Sequence, residues 1–330
     1  MSVNEGLDGL SSVDWTKLHH AYGTAEDVPG QVRALRSADG DERGRALHEL
    51  YGNVYHQGTR WQASGHVVPF LAGLVDDPAT PDRVAVLGLL RAVALGDCDD
   101  TWLPFDPGRA FAQASGVTDG DVAKVLDWLY GGAAEEDGSA EKDGSAEEGG
   151  EGGEGDEAGK GREGGEDVAD AVAAAWDRDA YLAAAAISDR FAAWLDDRDP
   201  MIAANAAELV TWFPATEPVI SRLLRLPAAG GYEVARASAN LSLAYLAPDD
   251  PAIDGRLTEL LAAESPGVRL TAAVALAFRI GDLLPDAGLQ ALAEARDHTA
   301  ELDARMFPIP WDRSLLGFAA LALQRIGLSP

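Results

Sequence analysis

From residue 181 onward the apolar positions of this chain recur in a 33-residue register. Ile187, Ile220 and Ile253 align, and one helical turn later so do Phe191, Leu224 and Leu257. A second stripe follows in each unit. It runs through Ala206, Ala239 and Ala272, then Val210, Leu243 and Leu276, with an aromatic column of Trp212, Tyr245 and Phe278 two residues further on. Both stripes have i, i+4 spacing, which puts one apolar face on each of two helices. Turn residues separate them at 196–200, 229–231 and 264–267, and Pro200 and Pro266 suit the first turn of a second helix. Each unit therefore reads as a helical hairpin that cannot cover its own face and must stack on its neighbours. A fourth unit follows an insertion. LAFRIG (276–281) returns as ALQRIG (322–327), and the extra residues fall in 298–311, HTAELDARMFPIPW.

The N-terminal half repeats less regularly, with Arg43, Leu47 and Leu50 matching Arg83, Leu87 and Leu90 at an offset of 40. Its periodicity predicts helices near 12–22, 28–38, 41–55, 63–75, 81–96 and 118–130, a long loop at 97–107, and a further helix near 167–178. Nothing alternates as a strand does, so the fold class reads as all-α, an α-solenoid of helical hairpins. Residues 131–167 interrupt it. They hold 13 Gly and 14 acidic residues against Lys142, Lys160 and Arg162, with no Leu, Ile, Val or aromatic residue. Such a segment cannot offset its chain entropy by burial and reads as a flexible, self-repelling linker. The organisation is thus an N-terminal lobe at 1–130, the linker at 131–167 and a C-terminal repeat lobe at 168–330. Trp128, Leu129 and Trp176 need partners, which favours helix 167–178 docking on helix 118–130 in one continuous array.

Charge narrows the function class. Asp plus Glu number 55 against 26 Lys plus Arg, for a net charge of −29. Repulsion from phosphates makes a nucleic-acid partner the poor choice and a basic partner the natural one. The single cysteine, Cys98, excludes an internal disulfide and fits a reducing compartment. The apolar runs 84–90 and 272–278 are too short to span a bilayer, and residues 1–10 lack a signal-peptide core. The expectation is a cytoplasmic protein with no membrane partner.

The segment GVRLTAAVALAFRIGD (267–282) resembles a HEAT repeat of the short bacterial kind, also called PBS-lyase HEAT-like, an armadillo-type α-solenoid. The resemblance rests on the Val268–Arg269 pair that opens the second helix, the alanines with an apolar stripe, and the closing Gly281. ARASANLSLAYL (235–246) and RVAVLGLLRAVALG (83–96) echo it. HAYGTAEDVP (20–29), ELYGNVYHQGTRWQAS (49–64) and VPFLAGL (68–74) are similar to the N-terminal portion of bacterial HEAT-repeat proteins of unassigned function. Ankyrin and tetratricopeptide signatures are missing. The resemblance implies that second helices line a concave face, which makes Glu208, Arg236, Asn240, Arg269 and Arg279 groove candidates. The arginines have a blander reading, as a ladder tying adjacent turns through aspartates.

Two further segments carry binding chemistry. His56-Gln57-Gly58-Thr59-Arg60-Trp61 reads as an inter-repeat loop in which His56, Gln57 and Thr59 offer hydrogen bonds and Trp61 offers rigid contact area. Phe307 and Trp311, with Met306 and Ile309, sit in a Pro-stiffened insertion that either anchors a partner or seals the array. Asp14, His19 and His20 lack metal-ligand spacing, Ser64-Gly65-His66 is no nucleophile elbow, and the glycines of the linker form no phosphate loop. No catalytic residue, metal or cofactor is therefore assigned, and the reading leans away from an enzyme. The expected function is a non-catalytic scaffold that holds a protein or peptide on its concave face. The resemblance also offers two enzymatic alternatives. One is a DNA-alkylation glycosylase with Trp61, Trp102 and Trp212 as its aromatics; the other is a tetrapyrrole-handling lyase.

Overall fold

The computed structural model describes residues 7–131, 157–297 and 308–329, with the backbone alone for 157–166. The described chain is mostly helical, as its periodicity predicts. The N-terminal half contributes α1 (Val28–Ala34), α2 (Gly40–Val54), α3 (Ser64–Asp76), α4 (Arg83–Leu95), α5 (Pro107–Ala110) and α6 (Asp119–Tyr130). Then come α7 (Glu157–Ala185), α8 (Ser188–Trp194), α9 (Pro200–Val210), α10 (Glu217–Arg225), α11 (Glu233–Leu243), α12 (Pro251–Leu260), α13 (Pro266–Ile280), α14 (Asp286–Asp297) and α15 (Leu315–Arg325).

Local chemistry sets the helix ends. Asp39, Asp199 and Asp250 each accept a hydrogen bond from the backbone N–H two residues on, and Thr118 and Asp121 form a reciprocal capping box. Pro200, Pro251 and Pro266 open their helices, where a missing N–H costs nothing. Gly96 and Gly281 stop α4 and α13 at φ values of 64° and 53°.

The stripes seen in the sequence are the packing seams. Ala206, Ala239 and Ala272 are fully buried, and their small side chains let α9, α11 and α13 pack side by side. The same row continues to α4 on one side, through α4 against α9, and to α15 on the other, through α13 against α15. The partner helices α8, α10 and α12 pair with α9, α11 and α13. One apolar cluster runs from Leu7 to Leu323 and joins both halves.

Helix α7 fastens this junction. It packs on α3, α4 and α6, with Gly65 of α3 letting the backbones approach: a Cβ there would lie 3.3 Å from the Asp179 carbonyl oxygen. Val125 of α6 and Val172 and Trp176 of α7 form a separate small cluster. The docking of α7 on α6 thus agrees with expectation, although of Trp128, Leu129 and Trp176 only one is covered by it. Trp176 is buried, whereas Trp128 is 74 % exposed and Leu129 is 38 % exposed. Helix α7 also begins at Glu157, ten residues earlier than the expected restart. Once packing has nucleated a helix, each added residue gains a hydrogen bond at no further nucleation cost. Residues 132–156 of the expected linker lie outside the described residues.

The expected helix at 12–22 is a correction. Residues 15–17 form a single 3₁₀ turn, and His19–His20 pairs with Gly23–Thr24 in a short antiparallel hairpin, β1 and β2. Long-range bonds override the helical spacing: the Ala63 N–H donates to the His19 carbonyl and the Ala21 N–H to the Asn53 carbonyl, each at 3.0 Å. A second hairpin pairs β3 (Tyr55–His56) with β4 (Thr59–Arg60). Its two-residue turn has φ 49° at Gln57 and 87° at Gly58, the geometry of a tight primed turn.

The repeat arginines cap helices. Arg279 has a side chain only 1 % exposed, lies 2.5 Å from Asp254 and donates to the carbonyls of Leu243 (3.0 Å) and Leu246 (2.8 Å) past the end of α11. Replacing Arg279 with Leu strands a carboxylate and several carbonyls, so urea unfolding should show a loss of about 3 kcal/mol. Arg256→Ala, which removes a surface pair with Glu259, should change stability by less than about 0.5 kcal/mol in the same assay.

Candidate functional site

Most of the expected groove residues are inside the protein. Glu208, Arg236 and Asn240 are buried at 0–1 % exposure and cannot touch a partner. Glu208 accepts from Arg91 Nε at 3.0 Å and from Trp212 Nε1 at 2.7 Å, and burial pushes its carboxyl above the usual carboxylate range. Arg236 donates to Asn240 Oδ1 at 2.9 Å and to the closing carbonyls of α10, Leu223 among them. Among the described residues it has no carboxylate partner, and burial lowers its pKa to about 9. Asn240 spans to Val268 O (3.2 Å) and Thr271 Oγ1 (3.0 Å). Arg269 donates to the carbonyls of Ala263 and Glu264 at 2.7 and 2.8 Å. Both readings of Arg236 and Arg269, as groove cations and as an aspartate ladder, therefore give way to helix capping. Their register falls where the preceding helix ends, and its orphan carbonyls need donors.

The row of second helices is covered by the chain's own loops. Trp311 is 8 % exposed, donates from Nε1 to Ser238 Oγ at 2.9 Å and packs on Tyr245 and Phe318. Its neighbours reach the N-terminal half: Asp312 meets Arg91 at 3.0 Å and Arg313 meets Asp100 at 2.8 Å. Phe105 from the long loop stacks near Tyr181 and Trp212, at 5.2 and 5.8 Å. Trp311 therefore seals rather than presents. Trp212, 2 % exposed, is closed to any stacked base. Phe307 and Met306 lie outside the described residues.

The remaining candidates do come together, on the two hairpins. His56 contacts the ring of Tyr22 edge-on at 5.3 Å, with Nδ1 3.3 Å from the Tyr22 hydroxyl. His19 stacks on Tyr130 at 5.3 Å, and the Tyr130 hydroxyl donates to the His20 carbonyl at 2.6 Å. Gln57 and Thr59 sit at the turn and in β4, and the turn closes on Asp97, which also accepts from Tyr55. His20 is spoken for: the Tyr22 N–H donates to Nδ1 at 3.0 Å, and Nε2 faces Asp27 at 2.9 Å. With both nitrogens engaged, its ring braces the hairpin against Asp27. Ser64 is likewise a brace, fully buried and donating to the Val54 carbonyl at 2.6 Å.

Behind the hairpins lies a cleft of about 530 Å³ between α3, α6 and α7. Its floor is Trp61 stacked on Trp176, with centroids 5.6 Å apart and planes at 29°. Gln62, His66, Asp119 and Asp179 line it. Burial holds the His66 imidazole below its ordinary pKa, against a smaller opposing pull from Asp179. Sequence reasoning singled out Trp61 but missed Tyr22, Tyr130 and Trp176, which reach this surface through contacts between distant segments. A second cleft, of about 340 Å³, brings Cys98 beside Arg60, Asp97 and Asp177. Burial raises the Cys98 thiol, the opposite of what a nucleophile needs. Among the described residues, no group of three or more His, Cys, Asp or Glu is placed to hold a metal ion. No described helix is long and apolar enough to cross a membrane.

The chain matches no family model, no curated protein and no solved structure.

The surface has a titration signature. Burial pushes the Tyr130 phenol up to about 12, so the folded state favours the neutral ring that donates to His20. This stabilisation is complete below the unfolded tyrosine value of about 10 and is lost as pH rises from there to about 12. The stability gap between wild type and Tyr130→Phe, read from urea midpoints, should narrow across that window. A gap that stays constant contradicts the assignment.

Proposed function

We propose that this protein is a non-catalytic scaffold of stacked HEAT-like helical hairpins that holds a protein or peptide partner of basic character. The stacking is supported by the row α4, α9, α11, α13 and α15, in which each second helix packs on the next. The charge of −29 favours a cationic partner through steering and complementarity.

One observation carries the choice of surface. The strongly exposed aromatic side chains among the described residues are Tyr22 (67 %), Trp102 (52 %) and Trp128 (74 %), all in the N-terminal half. The face first expected to bind is filled by Trp311 and Phe105. The docking surface is therefore assigned to the hairpins and the end of α6, where Tyr22, His56, Tyr130 and the Trp61 cleft adjoin. Exposed aromatics of this kind supply contact area at low entropic cost and dominate interface energetics.

Affinity capture from the native cell extract tests the reading. The tagged full chain should retain a basic protein at near-equal amount, and Tyr22→Ala with Trp128→Ala should reduce retention about tenfold or more. Leu289→Ala, on the exposed side of α14, should leave it unchanged. No co-eluting protein, or one held equally by all variants, contradicts the proposal.

A further inference from the structure

The cleft between α3, α6 and α7 holds hydrogen-bonding capacity that the chain does not use. Trp61 Nε1 is closed to solvent and has no partner among the described residues, so a ligand entering the cleft does not reach it directly. Gln62 spends its carbonyl oxygen on His19, accepting from the backbone N–H at 3.2 Å and facing Nδ1 at 3.3 Å. Its amide nitrogen and the His66 imidazole make no hydrogen bond among the described residues. Gln62 and His66 thus bring two spare donors to one concavity, and a partly covered donor favours any acceptor that can reach it. The walls carry a second feature: the exposed carboxylates of Asp119 and Asp179 flank the stacked indoles of Trp61 and Trp176. Arg178 occupies only one oxygen of Asp179, at 2.9 and 3.1 Å, and sends its other nitrogen to the Ala114 carbonyl.

We infer that this cleft receives an extended peptide segment bearing an arginine. Its backbone carbonyls would accept from Gln62 and His66, and its guanidinium would lie against the accessible part of the Trp61 ring and reach Asp119 and the free oxygen of Asp179. The parts are complementary in kind. Backbone carbonyls are acceptors only, indole faces attract a cation, and a planar guanidinium suits a carboxylate better than a lysine ammonium does. The net charge of −29 works in the same direction and disfavours an anionic ligand such as a nucleotide. This inference rests on the scaffold reading and names the partner chemistry at one part of its surface.

The test is a titration of the full chain, labelled with ¹⁵N at tryptophan, using acetyl-Gly-Arg-Gly-amide. The Trp61 indole N–H, assigned as the resonance absent from Trp61→Phe, should shift saturably. Acetyl-Gly-Gln-Gly-amide should need about tenfold higher concentration for the same shift, and Asp119→Asn with Asp179→Asn should weaken the arginine peptide about tenfold. Both aspartates are exposed, so these variants keep the fold. An absent Trp61 shift, an equal response to both peptides, or a response unchanged in the aspartate variants overturns the inference. Partner capture that persists undiminished in the aspartate variants also overturns it, while leaving the scaffold reading standing. A peptide shift in a chain that captures no partner supports the cleft and counts against the scaffold.

Discussion

Glu208 is the point on which the architecture turns. It lies on α9, fully enclosed, and answers to Arg91 of α4 and Trp212 of the aromatic column. Arg91 in turn donates to the Cys98 carbonyl and meets Asp312 from the segment before α15. A buried carboxylate is costly unless it is paired and hydrogen-bonded; here Trp212 supplies a local bond and Arg91 the one from the other half of the chain. The N-terminal half, the C-terminal half and the closing loop are therefore held in one register. Parting α4 from α9 would strand the buried Glu208 carboxylate.

That constraint explains where the open surface lies. With α4 fixed against α9, the loop carrying Phe105 and the segment carrying Trp311 fold across the second helices and bury their side chains. What stays open is the opposite end of the N-terminal half. There α7 crosses α3 and α6, and two short hairpins meet the end of α6. Gly65 lets α7 approach α3 closely: a Cβ there would lie 3.3 Å from the Asp179 carbonyl oxygen.

The helical stripes of the repeats were readable because burial on one face imposes i, i+4 spacing directly on the residue order. Ala206, Ala239 and Ala272 carried both the register and the packing distance. Contacts between distant segments were not readable. Trp15 and Leu18 mimic a helical face, yet hydrogen bonds to Asn53, Gln62 and Ala63 turn 19–24 into a hairpin. The arginines admit a groove reading and an aspartate-ladder reading because sequence reports a charge and not the carbonyl waiting beneath it; of the three, Arg279 does meet an aspartate, Asp254. Arg236, Arg269 and Arg279 satisfy helix ends. Of the site, Trp61 and His56 were visible as types, but Tyr22, Tyr130 and Trp176 join them only through the tertiary fold.

Arg91 and Glu208 bind both halves into one cooperative unit. Native-state hydrogen exchange on Arg91→Ala measures this most directly. Amides of α4 and of α9 to α11 should lose protection together and by similar factors, because the stranded carboxylate destabilises the shared core. Loss confined to α4, with α9 to α11 protected as in wild type, would contradict it and show that the two halves stand independently.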